Sequence, residues 1–109
     1  MNPEALVRPE LDTGVPSGDL LLTFAAAIIG TDRKVLDSAR TALADALGSA
    51  AVSGASAVAG NFSKNDRVAN GIGIPVDDMV FNGTEDLREQ LGLNDYKSAA
   101  NTFRHLSGD

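Results

Sequence analysis

The polar segment in the middle of the chain holds the residues best suited to binding chemistry. Asn61, Asn65 and Arg67 lie close together in sequence, and each side chain can donate hydrogen bonds to a ligand oxygen. At helical spacing they could converge on a cavity and form a ligand-binding polar cluster. They could equally mark the point where a helix emerges into water. The residues alone leave both alternatives open.

Side chains that usually carry out catalysis are scarce in this protein. The 109 residues include no cysteine and one histidine, which excludes disulfides, thiolate nucleophiles and cysteine-based metal sites. His105 lies near the end of a predicted helix, where no pattern supplies the partner that a general base needs. No serine lies in a Gly-x-Ser-x-Gly elbow. We therefore assign no catalytic residue.

Two short motifs invite comparison with cofactor and metal sites. Gly71-x-Gly73 lacks the third glycine of a nucleotide loop, and Pro75 stands where a phosphate-binding helix would begin. Asp77 and Asp78 lack the remaining ligands of a calcium loop. The first motif is therefore interpreted as a helix end, and the second as a solvated loop or the start of a helical turn. We predict no cofactor and no metal site.

Helical periodicity governs the elements that would position these residues. No stretch alternates long enough to indicate a strand, so we predict an all-α fold with an irregular N-terminal arm at 1–18 and a single helical domain at 19–109. Ser17 or Asp19 is expected to cap the first helix. The first predicted helix ends at about Ile29, the second runs from the Thr31-Asp32 cap to Gly48, and the third runs from Ser49 to about Asn70. Two shorter helices are predicted at Glu85 to Leu91 and at Asp95 to about Leu106. Thr84 is expected to cap the fourth, after a loop with an Asn82-Gly83 turn, and Gly71 is expected to take the left-handed position after the third.

The third helix is built mainly from small residues. Between Ala50 and Gly60 only Val52 and Val58 are larger than Ala, Ser or Gly. Each interior glycine costs about 1 kcal/mol relative to alanine in a helix, so we expect this helix to pack closely, either within the chain or against a symmetry mate. Its expected inner face comprises Val52, Ala55, Val58 or Ala59, Phe62 and Ala69.

Charge and hydropathy limit the classes of partner. The formal net charge of −6 would repel a phosphate backbone, so nucleic acid is an unsuitable partner. The longest apolar stretch, Leu20 to Ile29, is about half of what a bilayer requires, and the N-terminal sequence lacks the pattern of a signal peptide. We expect a cytoplasmic protein without a membrane partner.

The stretch AAVSGASAVAGNFSKNDRVANGIGIPVDD resembles a known family. It is similar to the terminal core helix of the alkylhydroperoxidase D-like, carboxymuconolactone decarboxylase-like superfamily: a small-residue helix, Asn-Phe, an arginine with a small apolar pair, and a Gly-Ile-Pro stop. The resemblance covers about residues 20–106. The residues that carry it are Asn61, Phe62, Arg67, Val68, Ala69, Gly71, Ile74 and Pro75.

The resemblance implies an all-α domain that forms symmetric oligomers. In catalytic members the redox cysteines lie on an upstream helix that has no counterpart here. We therefore expect a catalytically degenerate, self-associating helical module, a homodimer or higher oligomer, that binds a protein partner or a small ligand. The alternative is a half-enzyme of peroxidase-like or decarboxylase-like type, completed by a cysteine-bearing second polypeptide. A third interpretation is a pure assembly element without a ligand.

Overall fold

The structure, a computed structural model, describes residues 1–107 and is all-helical over that range, which confirms the predicted fold class. Within it no strand is present. The α-helices are α1 (Gly18–Ile29), α2 (Arg33–Leu47), α3 (Ser49–Ile72), α4 (Asp78–Gly83), α5 (Glu85–Gln90) and α6 (Ala100–Leu106). Short 3₁₀ helices lie at Pro3–Leu6, Leu93–Asp95 and Lys97–Ala99.

The chain divides into two compact units, one formed by Met1–Lys64 and the other beginning at Asn65. Helix α3 therefore begins in the first unit and ends in the second. The domain boundaries expected from sequence, an arm at 1–18 and one domain at 19–109, stay a prediction.

The N-terminal segment of the first unit forms a closed turn structure. The Asn2 side-chain oxygen accepts a hydrogen bond from the Glu4 N–H at 3.1 Å and so caps the first 3₁₀ helix. The Asn2 backbone N–H donates to the Thr13 carbonyl at 2.8 Å, which joins the two ends of the segment. Ala5 is buried at 2 % exposure. Proline-rich sequence here forms ordered turns because side-chain caps and one long-range backbone bond satisfy its polar groups.

Helices α1 and α2 supply the core of the first unit. Phe24 and Leu43 are its largest buried side chains, exposed by 2 % and 0 %, and Ala27 and Ala39 lie beside them. All four belong to the apolar stripes that helical spacing predicts. The half-buried residues packed against them are Leu20, Leu21, Ile28, Leu36, Val52 and Ala55.

The helix boundaries in this unit follow the predicted signals with one exception. The Asp32 carboxylate accepts from the backbone N–H groups of Lys34 and Val35 at 2.9 and 3.2 Å, so it is the N-cap of α2 as expected. Gly30 ends α1, also as expected. Ser17 takes the N-cap position of α1, as one of the two expected residues, but it adopts a left-handed φ of 55° and its side chain forms no cap hydrogen bond. Asp19 lies inside the first turn.

The end of α3 differs from the prediction for Gly71. The helix continues through Gly71 to Ile72, and the left-handed residue is Gly73, with φ of +69°. The Gly73 N–H donates to the Asn70 carbonyl at 3.2 Å, and the Ile74 N–H donates to the Ala69 carbonyl at 3.1 Å. These two bonds form a Schellman motif. Its left-handed residue is Gly73, two positions after the expected Gly71.

The second unit contains a helix where a loop was expected. Helix α4 begins at Asp78, whose predecessor Asp77 accepts a hydrogen bond from the Met79 N–H at 3.0 Å. Asn82 and Gly83 are its last residues instead of a turn. Thr84 takes the expected N-cap position of α5, but its side chain does not cap the helix, because the hydroxyl donates back to the Val80 carbonyl at 2.8 Å. The prediction of a helix beginning at Glu85 is confirmed.

The predicted helix from Asp95 to Leu106 is interrupted. Asp95 is the last residue of a 3₁₀ helix, and Tyr96 takes an extended conformation with ψ of 141°. Helix α6 begins only at Ala100. One extended residue is enough to break the helical hydrogen-bond series, so local periodicity alone overstated the length of this helix.

Arg88 organises the packing of the second unit. Its guanidinium carbon lies 3.7 Å from the centroid of the Phe81 ring, and that ring meets Phe103 edge-to-face at 5.9 Å. The guanidinium also donates to the Phe81 carbonyl at 2.9 Å and to the Asn94 side chain at 2.8 Å. Thr102, buried at 6 % exposure, accepts from the Val76 N–H at 2.9 Å. A small unit thus relies on polar groups as well as on aromatic contact.

Candidate functional site

The polar residues singled out by sequence lie on the surface of α3. Asn61, Asn65 and Arg67 are all exposed. At 3.6 residues per turn Asn61 and Asn65 share a face, whereas Arg67 lies about 240° around the helix from Asn61. The Asn61 side-chain oxygen accepts from the Lys64 ammonium at 3.1 Å. The helix therefore separates Arg67 from the two asparagines, and the ligand-binding cluster stays a prediction from sequence.

The remaining candidates for acid–base or metal chemistry are also dispersed. His105 is exposed on α6, and Asp77 serves as the cap of α4. Among residues 1–107 no group of three His, Asp or Glu side chains is placed to hold a metal ion. In the same range no helix is both long and apolar enough to cross a membrane.

The ionic cluster on α2 is a surface feature. The Arg40 guanidinium donates to the Asp37 carboxylate at 2.6 Å, and Arg33 lies 3.2 Å from the same oxygen. The hydrogen bond from Arg40, with the charge of Arg33, holds the pKa of Asp37 below its ordinary value of 3.8. All three side chains are substantially exposed, so the cluster orders the helix surface and contributes little to stability.

An apolar cavity of about 390 Å³ lies within the first unit. We call it the N-terminal cavity. Three segments form its walls: residues 1–18, helix α1 and helix α3. Representative lining residues are Leu6, Val15, Leu21, Leu22, Val58 and Ala59.

Among residues 1–107, no charged side chain lines the N-terminal cavity. Its buried hydroxyl, on Thr13, accepts from the Val15 N–H at 3.0 Å and donates to the Val15 carbonyl at 3.2 Å. A Cβ at Gly18 would collide with the Thr13 side chain, so glycine is required for the N-terminal segment to close on α1. Most of the lining side chains are apolar, which suits the cavity to contact with an apolar group.

Sequence reasoning missed this cavity. Residues 1–18 have no sustained period, and the pairing of this segment with α1 and α3 is a long-range event that no local pattern reports. The usable signal was Gly18 directly before an apolar helix, which indicates close backbone approach.

One face of α3 is apolar and largely exposed in the described part of the first unit. Val58 and Phe62 are 60 % and 62 % exposed. Gly54 lies one turn before Val58, and a Cβ there would meet nothing within 4 Å. We call Gly54, Val58 and Phe62 the α3 ridge.

The expected inner face of α3 is only partly right. Val52 and Ala55 pack against the core, which confirms that part of the prediction, and Ala59 is half-buried. The assignment of Phe62 to that face is wrong, and Val58 is likewise exposed. The predicted close packing at Gly54 and Gly60 does not occur within the chain, since neither position has a neighbour.

Comparison of the chain with protein-family models, curated proteins and solved structures finds no match.

Proposed function

We propose that this protein is a self-associating helical module whose copies pair through the α3 ridge. The observation that carries the proposal is an exposed phenylalanine on the same helix face as a glycine above which the space is empty. An apolar side chain of this size at 62 % exposure gains free energy when a partner covers it. The occupant proposed is a second copy of the chain.

The spacing along the ridge is self-complementary. Gly54 and Phe62 each lie four residues from Val58, which is about 6 Å along the helix axis. A two-fold axis at Val58 would pair two α3 helices antiparallel and bring each Phe62 ring over the Gly54 of the other copy. Rows of residues four apart are the ridges that most often interdigitate between packed helices. An isologous interface of this kind closes after two copies.

The charge distribution also favours pairing at this face. From Ser49 to Ser63 the helix carries no charged residue, although the whole chain has a net charge of −6. Two copies can therefore meet here without burying like charges. The resemblance of residues 20–106 to the alkylhydroperoxidase D-like superfamily, whose members form symmetric oligomers, supports the same proposal from sequence pattern. No described feature favours the half-enzyme alternative, and its cysteine-bearing partner stays a prediction.

Size-exclusion chromatography with light scattering tests the proposal. We expect a mass of at least twice the chain mass of 11.3 kDa at micromolar concentration. Gly54→Leu should weaken association by at least about tenfold, because the new side chain fills the space that the Phe62 ring requires. Gly60→Leu is the matched control: it is also an interior helical glycine with no neighbour, but it lies off the ridge.

Two results would contradict the proposal. One is a folded wild-type species that remains near 11.3 kDa across the micromolar range. The other is equal loss of association in the Gly54 and Gly60 variants, which would place the contact elsewhere on α3.

A further inference from the structure

We infer that the N-terminal cavity is a binding site for one uncharged, hydrocarbon-rich small molecule. A single chain can form the site, because residues within Met1–Lys64 form all of its walls. Val58 belongs both to this wall and to the α3 ridge, so the experiments below separate the two surfaces. Its volume of about 390 Å³ falls in the range of pockets that enclose small organic ligands.

The chemistry of the wall selects the ligand class. Among the described residues no lining side chain is charged, and Met1, which bears the terminal ammonium, is 92 % exposed. An ionised ligand would therefore lose its hydration without gaining a buried counter-charge. The Thr13 hydroxyl already donates to the Val15 carbonyl and accepts from the Val15 N–H. The Asn2 side-chain oxygen accepts from the Glu4 N–H. Apolar contact therefore makes up most of what the wall offers a ligand.

The rim of the cavity supplies apolar surface that a ligand would cover. Leu6, a lining residue on the N-terminal segment, is 59 % exposed. The inner wall is already built: Ala5 and Gly18 are buried, and the Asn2–Thr13 backbone bond holds the segment closed. A small molecule can therefore enter a largely preformed site without ordering the chain first.

A fluorescence titration of the full chain with N-phenyl-1-naphthylamine, an uncharged apolar dye, tests the inference. We expect saturable binding of one dye per chain. Ala25→Trp enlarges a lining residue on α1 and should weaken binding by at least about tenfold. Ala26→Trp is the matched control, because Ala26 is the exposed neighbour of Ala25 on the same helix and does not line the cavity. Leu22→Glu places a carboxylate in the wall and should lower affinity to a similar extent, provided that circular dichroism shows native helicity.

Competition by 1-octanol and octanoate tests the charge preference at constant chain length. We expect octanol to displace the dye at a concentration at least about tenfold lower than octanoate. Equal or better displacement by octanoate would overturn the assignment of an uncharged ligand. Absence of saturable binding, or equal binding by the Ala25 variant and its Ala26 control, would overturn the site itself.

The same titration separates this inference from the proposed self-association. The Gly54→Leu variant should bind the dye with wild-type stoichiometry even where it is monomeric. Dye binding that disappears with dissociation would locate the site between copies and overturn the cavity assignment. Wild-type binding by a protein that never associates would instead remove the proposed function and leave the cavity assignment intact.

Discussion

Two neighbouring glycines at the end of α3 should respond to alanine with opposite signs. Gly71 has helical backbone inside α3, whereas Gly73 has φ of +69° in the Schellman motif. Gly73→Ala should destabilise the fold by about 1–2 kcal/mol, because an L side chain disfavours the left-handed conformation. Gly71→Ala should stabilise it by about 0.5–1 kcal/mol through helix propensity.

Steric contact does not disturb the comparison. A Cβ at Gly73 would lie 3.7 Å from the Asn101 side-chain oxygen, an ordinary contact, and a Cβ at Gly71 would meet nothing within 4 Å. Both substitutions remove the same freedom from the unfolded chain, so that contribution cancels between them. The two variants should therefore differ by about 2 kcal/mol through backbone conformation alone.

Urea unfolding followed by circular dichroism measures the difference in free energy of unfolding. Hydrogen exchange at the Ile74 amide adds a local readout, since that N–H donates to the Ala69 carbonyl at 3.1 Å. Exchange should accelerate in Gly73→Ala and not in Gly71→Ala. Greater destabilisation by Gly71→Ala would show that the helix ends at Gly71 and that the cap is wrongly placed.

Three further substitutions test contacts within the individual units. Thr102→Val should destabilise the protein by about 1–3 kcal/mol in urea unfolding, because the Val76 N–H loses the buried Thr102 hydroxyl as its acceptor. An unchanged unfolding midpoint would show that water replaces the hydroxyl. Arg88→Lys keeps the charge but removes the planar guanidinium that lies over the Phe81 ring, so the free energy of unfolding in urea should fall by about 1–3 kcal/mol. Unchanged stability would mean that the positive charge alone is sufficient. Asp37→Asn should lower the melting temperature slightly at pH 7. Folding lowers the pKa of Asp37 from 3.8, so the stabilising effect of the ionised carboxylate is present above that value and is lost as the pH falls through the lower folded-state pKa. The melting temperatures of wild type and variant should therefore converge in acid. Divergence in acid would contradict the direction of this pKa shift.

The first three helices could be predicted from the sequence because their signals are local. Apolar residues at helical spacing, the Asp32 cap and the stops at Gly30 and Gly48 act within a few residues of one another. Phe24 and Leu43 lie at helical spacing from the other apolar residues of their helices, and both are buried in the core. Composition also excluded thiol chemistry without reference to any fold.

Only the tertiary structure decided features that depend on distant residues or on competition between equal signals. Gly71 and Gly73 are both suited to a left-handed position, and the hydrogen bonds to Ala69 and Asn70 select the second. Phe62 matches the apolar period of α3, but periodicity cannot show whether another element covers it, and the fold leaves it exposed.

The N-terminal cavity is the clearest case of this limit. Its walls come from residues 1–18, from the adjacent helix α1 and from α3, which is far from both in sequence. The close approach of Thr13 to α1 depends on the missing side chain of Gly18. Sequence patterns report how each segment prefers to fold, because those preferences arise from neighbours along the chain. Which surfaces meet, and what space remains between them, depends on packing between segments.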